Sequence, residues 1–508
     1  MTTSDVRVPA PPLRGDHDQR LFIGGAWTST TTGATDEVLN PATGEVIDVV
    51  GRGGAADAVA AVTAARVAFD EGPWATLEVA ERVEVLRRFA DAIEARAATF
   101  ADLAVREAGA ARTLAERLHV GLALVHARRT WDIAAGTWSQ PVALGPFLTP
   151  STAGTVVGHQ IVLREPIGVV AAITPFNVPT FVNLAKVSAA LVAGNAVVLK
   201  PSPYTPLSAL ALAECALEAG LPPGVLNIIT GGPDVGEVLT TAAEVDMVSF
   251  TGSTSVGARV MAQAAPTIKR VHLELGGKSA LIVRVDADVA GAARFGLGQI
   301  TTQAGQACAV CTRHLVHADL VDDYVAAISD AAAKVRLGDP ADPQTEMGPL
   351  IRAVQRDAVA AMVDTAVAQG ASVAAGGRIP TGSRELDRGF FYPPTVLTGV
   401  DSTWPIAQDE VFGPVAVVIP FTDDDDAVRI ANDSRYGLSG AVWSADAGAA
   451  FGVARRVRTG QLGINGGAGT TPADGPFGGY KQSGLGRERG VWGLDEYTEV
   501  KTVSFHAD

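Results

Sequence analysis

Between residues 168 and 250 short apolar runs alternate with amphipathic stretches in a rhythm that few folds can accommodate. Residues 168–173, 196–199, 225–229 and 247–250 are apolar runs bounded by glycine, proline or asparagine, and such runs read as buried strands. Residues 181–191, 207–219 and 235–243 lie between them with helical periodicity, and Gly220 closes the second helix. Parallel strands cannot be joined by tight turns, so each needs a crossover that a helix supplies. Strand–helix repetition of this kind implies a doubly wound parallel sheet, with ligands held outside the carboxyl ends of its strands.

A second α/β block runs from about residue 278 to 477. The alanine-rich segments 55–69 and 79–105 read as helices, and 147–164 reads as a hairpin. The acidic run 423–426 reads as a helix start, where carboxylates meet the positive end of the dipole. A chain of 508 residues exceeds one hydrophobic core. The expected parts are a disordered tail (1–18), a doubly wound nucleotide-type domain (19–146 and 167–276), a second α/β domain (277–486) and two segments apart from both (147–166 and 487–508).

A formal charge of −15 leaves no basic surplus for nucleic acid. Three cysteines cannot staple a chain this long, which favours a reducing, cytoplasmic setting. The polar start is no signal peptide, and no apolar window is long enough to span a bilayer. Cys308 and Cys311 form C-x-x-C, but no second ligand pair suggests a metal.

Cys308, in Gly305-Gln306-Ala307-Cys308-Ala309, is a candidate nucleophile, because a thiol is the best protein nucleophile near neutral pH. Glu274, in Glu274-Leu275-Gly276-Gly277-Lys278, is a carboxylate that could activate water. His272 stands where a phosphate loop would need its first glycine, so that segment is no such loop. Thr174-Pro175-Phe176-Asn177 follows a strand end, and a neutral amide such as Asn177 stabilises a developing alkoxide without titrating. Gly252-Ser253, with Val256 two residues into the next helix, could bring backbone N–H groups to an anion. Lys200-Pro201-Ser202-Pro203 and Gly231-Gly232 end neighbouring strands at the edge where ligands bind.

These motifs, with Phe22-Ile-Gly-Gly-Ala-Trp27 before them and Glu410-Val-Phe412, Pro476-Phe477 and Glu496-Tyr-Thr-Glu-Val-Lys501 after, resemble the aldehyde dehydrogenase superfamily in order and separation. The likeness spans nearly the whole chain beyond the tail. It implies a Rossmann-type cofactor domain, an α/β catalytic domain and a small β element that pairs subunits into a homodimer or homotetramer. It implies that Cys308 attacks the aldehyde carbonyl, that Asn177 and the Cys308 N–H form the oxyanion hole, and that Glu274 activates the water that hydrolyses the thioester. Lys186 matches a family lysine suited to proton relay.

The cofactor, NAD or NADP, is expected to meet Thr174, Pro175, Phe176, Lys200, Ser202, Pro203, Gly231, Gly252, Ser253, Val256, Leu275, Gly276, Glu410 and Phe412. NAD-preferring relatives often carry Glu where Pro203 stands. Without an extra cation beside Lys200 to pair a 2′-phosphate, NAD is favoured. No metal is required.

By the same likeness Val178, Phe181, Ala307, Ala309 and Phe477 line the substrate tunnel, with the small-residue loop 466–471 at its mouth. Ala185 stands where some relatives carry a large aromatic. No Arg or Lys is evident in these segments, which disfavours a dianionic or ω-carboxylate aldehyde, and the mostly apolar mouth is expected to suit medium aliphatic or aromatic aldehydes. Two other outcomes share the fold: a CoA-acylating semialdehyde dehydrogenase, which would not need Glu274, and a binding protein without catalysis.

Overall fold

The computed structural model describes residues 20–151, 154–467 and 473–506. The expected tail and residues 468–471 of the mouth loop lie outside the described residues. Five parallel strands form the centre of an eight-stranded sheet: Arg270–Glu274, Met247–Thr251, Val169–Ile173, Ala196–Lys200 and Leu226–Ile228, in that spatial order. Chain order reverses between Val169–Ile173 and Met247–Thr251, which makes the ends of these two strands the switch point where a crevice opens. Side chains alternate between two cores: Val170 and Ala172 pack on one face, Val169 and Ala171 on the other. Burial on both faces is why these strands read as unbroken apolar runs.

A seven-stranded sheet follows, ordered Ser372–Ala375, Thr395–Thr398, Val415–Phe421, Cys311–His317, Ser279–Val283, Gly440–Trp443 and Gly463–Ile464. All its pairs are parallel except the first. Alternation again divides it, with Ala280 and Ile282 in one core and Leu281 and Val283 in another. A third sheet joins Val142–Ser151, Gly154–Pro166 and Thr498–His506 in an antiparallel ribbon.

Two local departures from expectation have visible causes, and a third local reading holds. The helical stretch 79–105 is two helices, Val79–Ala95 and Ala97–Ala108, broken at Arg96. The buried Arg96 guanidinium spans from Ala92 O (3.1 Å) to the Glu218 carboxylate (2.6 Å), and its backbone N–H closes the first helix on Ile93 O. The hairpin begins at Val142, five residues before the expected start, because strand pairing outlasts the alternating pattern. At the acidic run, Asp423 caps the helix Asp424–Asn432 by accepting from Asp426 N (2.9 Å), as the charges require.

Candidate active site

The two large sheets meet with opposite ends. Glu274, Gly252 and Asn177 follow carboxyl ends of the first sheet's strands, whereas Cys308 and Glu410–Phe412 precede amino ends in the second. Between them lies a cavity of about 490 Å³. Asn177, Glu274 and Cys308 all line it, as do Pro175, Phe176, Val178, Phe181, Gly252, Ser253, Leu275, Gly276, Ala307, Ala309, Glu410, Phe412 and Phe477. Residues far apart in sequence are thus brought to one cleft.

Asn177 lies just before the helix Pro179–Val192, whose first position is the proline that favours helix entry. Its Nδ2 donates to Gln306 O (2.7 Å), fixing the amide beside Cys308 and leaving its second N–H for a ligand. Burial, together with the nearby Glu274, Glu410 and Glu488, pushes the Cys308 thiol up to about 12. Burial and then Glu488 hold the Glu274 carboxyl well above the usual carboxylate range, against the pull of Lys186, Arg489 and Arg487. Neither Glu274 oxygen has a hydrogen-bond partner among the described residues, and a Cβ at Gly478 would stand 2.8 Å from Oε1. A buried, unsatisfied carboxyl facing a cavity is an acceptor waiting for a proton donor such as water.

Lys186 does not line the cavity. It is fully buried, and its Nζ donates to Ser249 Oγ (3.0 Å) and to Glu488 Oε1 (2.9 Å). Glu488 does line the cavity, so it links the buried ammonium to the cleft. Burial works against ionisation of Glu488, but Lys186 and His272 outweigh it and leave the carboxyl below its ordinary value. Glu488 was not legible in the sequence, because Arg487-Glu488-Arg489 has the composition of a solvated run. The available signal was its flanks, Gly486 and Gly490, both with left-handed φ (88° and 59°).

The expected absence of a cation from the tunnel is incorrect. Arg489 lines the same cavity as Cys308, brought inward by the turn that the charged run conceals.

The cofactor positions divide in two. Beside the cleft, Ser253 caps the eleven-residue helix Thr254–Ala264, and Gly252 and Ser253 face the cavity. A helix N-terminus with its hydroxyl cap suits a pyrophosphate. Val256 donates its N–H to Ser253 Oγ (3.4 Å). Glu410 accepts from Gly277 N (3.1 Å), and a Cβ at Gly276 would fall 2.3 Å from its carboxylate, so only glycine leaves room for it. Phe412 takes φ +52°, its turn held by Gln355 Nε2 donating to Val411 O and Phe412 O (3.1 and 2.9 Å). Its ring meets Phe176 edge-on at 5.7 Å.

Away from this cavity, Lys200 is buried with Pro201 O as its bonded acceptor (3.2 Å), and burial lowers its ammonium to about 8. Asp234 and Asp36 oppose that fall. Ser202 accepts from Tyr204 N (3.2 Å), with Pro203 between them, and Gly231 (φ +147°) bridges to Gly53. Thr174 does not line the cavity, and its hydroxyl donates to Asn183 Oδ1 (2.6 Å). This donor set, a helix N-terminus and a buried ammonium at the carboxyl edge of the first sheet with a buried carboxylate from the second, fits a dinucleotide. Among the described residues, no group of three or more His, Cys, Asp or Glu is placed to hold a metal, and no helix is long and apolar enough to cross a membrane.

Residues 27–503 match the model of the aldehyde dehydrogenase family. Betaine aldehyde dehydrogenase of Bacillus subtilis is 38% identical over 494 residues, covering 96% of this chain and 97% of its own. Geranial dehydrogenase of Castellaniella defragrans is 40% identical over 489 residues, covering 96% and 98%. A solved mutant of aldehyde dehydrogenase C from Pseudomonas syringae, complexed with NAD+ and octanal, superposes with a TM-score of 0.89 at 38% identity, covering 98% of each chain. Betaine aldehyde dehydrogenase from Staphylococcus aureus in complex with NAD+ superposes at 0.90 with 36% identity, covering 97% and 95%. With the family model matched over residues 27–503 and this identity sustained along nearly the whole chain, the chain belongs to the aldehyde dehydrogenase family, oxidoreductases that convert an aldehyde into its carboxylic acid.

Proposed function

We propose that Cys308 is the nucleophile, Asn177 the oxyanion donor, Glu274 the base and Lys186 a proton-relay residue acting through Glu488. One observation carries this reading: Cys308, Asn177 and Glu274 face a single cavity. The Cys308 sulfur adds to the aldehyde carbon to give a thiohemiacetal, and the free Asn177 N–H with the Cys308 N–H takes the negative oxygen. Loss of hydride from this carbon, for which a nicotinamide would supply the acceptor when bound, leaves a thioester on the Cys308 sulfur. Glu274, ionised at that stage, takes a proton from water as the water attacks the thioester, and acid departs as the sulfur is released. The Lys186–Glu488 pair, joining buried ammonium to cleft, gives Glu274's proton a way out. A CoA-acylating course is not supported, since the relatives are named for aldehyde dehydrogenation and Glu274 faces the cleft.

Lys200, Ser202, Gly252, Ser253, Gly276 and Glu410 are the residues that would hold the dinucleotide. NAD is the favoured form. Although Pro203 removes one carboxylate, Asp234 and Asp36 both bear on Lys200, and Arg52, the cation nearest Gly232, is paired with Asp36 (3.5 Å). These two carboxylates match the two cations, so no surplus positive charge is left to hold a 2′-phosphate. We further infer that residues 19–146 with 167–276, and 277–486, act as cofactor and catalytic domains, and that the antiparallel ribbon pairs subunits in a homodimer or homotetramer. The test is an aldehyde panel followed by reduced-cofactor absorbance with NAD and with NADP. Turnover with NAD and formation of free acid are expected. No turnover with either cofactor, or acyl-CoA formed in place of free acid when CoA is added, would overturn the reading.

A further inference from the structure

Arg489 has no role in the chemistry above, yet its setting is unusual for an arginine. It sits at the tunnel wall with Cys308, and φ +70° holds its backbone in a region that non-glycine residues rarely occupy. Its guanidinium carbon lies 4.6 Å from the Phe477 ring centroid and 5.5 Å from that of Phe181. Two aromatic faces thus grip the group by cation–π attraction, which leaves the N–H fork at its edge as the part free to bond. Among the described residues this guanidinium makes no hydrogen bond and no ion pair, and its Nε is buried without a partner. Glu488, whose Oε1 is bonded to Lys186, and Glu274 act on it through space only, with no hydrogen bond or ion pair to its fork. Residues 468–472 of the mouth loop contain no acidic side chain. Small Ala185 lines a second, smaller cavity with Arg489, so space that a large side chain could fill stays open beside it.

A planar cation held in place with its fork unused is a receptor for a planar anion. We propose that Arg489 is a specificity-determining residue that binds a carboxylate on the aldehyde substrate, so that the enzyme prefers aldehydes carrying a carboxylate over neutral ones and neutral ones over cationic ones. This proposal rests on the aldehyde oxidation read above and adds its substrate class. The same fixed charge disfavours a trimethylammonium aldehyde, although relatives of this chain are named for betaine aldehyde.

The experiment compares kcat/KM for three aldehydes of matched length, ending in a carboxylate, a methyl and a trimethylammonium group, with the full-length protein and with Arg489→Leu and Arg489→Lys. The unaltered protein should prefer the carboxylate aldehyde over the methyl one by roughly 10- to 100-fold, the range of a charge-assisted fork. Arg489→Leu should collapse that ratio towards one, mainly through KM. Arg489→Lys, which keeps the charge and loses the fork, should fall between. A short dicarboxylate should compete with aldehyde in the unaltered protein and lose that competition in Arg489→Leu. Equal loss for all three aldehydes in both variants would make Arg489 a structural staple and overturn the proposal. So would an unaltered protein without preference for the anion. Turnover of the methyl aldehyde by the unaltered protein separates these failures from failure of aldehyde oxidation itself.

Discussion

Cys308 is surrounded by what keeps a thiol protonated: burial and the carboxyls of Glu274, Glu410 and Glu488. Glu274 is likewise held towards its neutral form, by burial first. Both groups must lose a proton to act, so raising either value moves activity to higher pH, and turnover should climb as pH rises from about 6 to about 9. A flat or falling profile in a buffered series would contradict these electrostatics. Cys308→Ala should lower turnover by about 10³-fold or more with an unchanged melting curve. For Glu488→Gln the buried Lys186 loses its charged partner. Stopped-flow records should then show slower thioester release with the first burst of reduced cofactor retained, whereas loss of the burst would place Glu488 before acylation. Cys308, Glu274 and Asn177 were legible because each lies in a short motif whose chemistry shows in its residue types. Glu488 and Arg489 were not, because a charged triplet looks solvated until the fold turns it inward.

At the scale of elements, Glu107 illustrates a cost hidden from sequence. It is fully buried and accepts from Leu207 N (2.8 Å) and Ser208 N (3.0 Å), satisfying the first N–H groups of the helix Leu207–Ala219. Glu107→Ala leaves these donors without their acceptor and should cost about 1–3 kcal/mol in a denaturant melt. Burial, opposed by these two bonds, raises the Glu107 carboxyl from 4.5 to about 7. The folded protein therefore keeps a proton that the unfolded chain has released, so this contribution is whole below 4.5 and lost as pH rises through about 7. Melting temperatures of Glu107→Gln should depend less on pH across that window, and an unchanged dependence would exclude Glu107 as its source. Strands and crossover helices were readable because each carries its own periodicity. The helix break at Arg96 and the early start of the ribbon at Val142 were not, since a long-range ion pair sets one and strand pairing the other.

Across the whole molecule, the ribbon ending in Thr498–His506 exposes Val142, Leu144, Leu148, Val500, Val503 and Phe505. Leu148 is 72% and Val500 65% exposed, and a flat apolar strand at a sheet edge is a pairing liability that assembly removes. Sedimentation velocity should give a mass that is a multiple of 52.2 kDa. Val500→Lys with Val503→Lys should reduce it to that of one chain, and a monomer before substitution would refute the assembly. The opposed ends of two sheets, one offering strand carboxyl termini and the other amino termini, are what bring the cysteine, amide and carboxyl into one cleft. That arrangement has a direct chemical consequence. Glu274→Gln, mixed with NAD and an aldehyde and quenched in acid, should gain the mass of one acyl group, and peptide mapping should locate it on Cys308. An unmodified protein, or an acyl group on any other residue, would contradict the account.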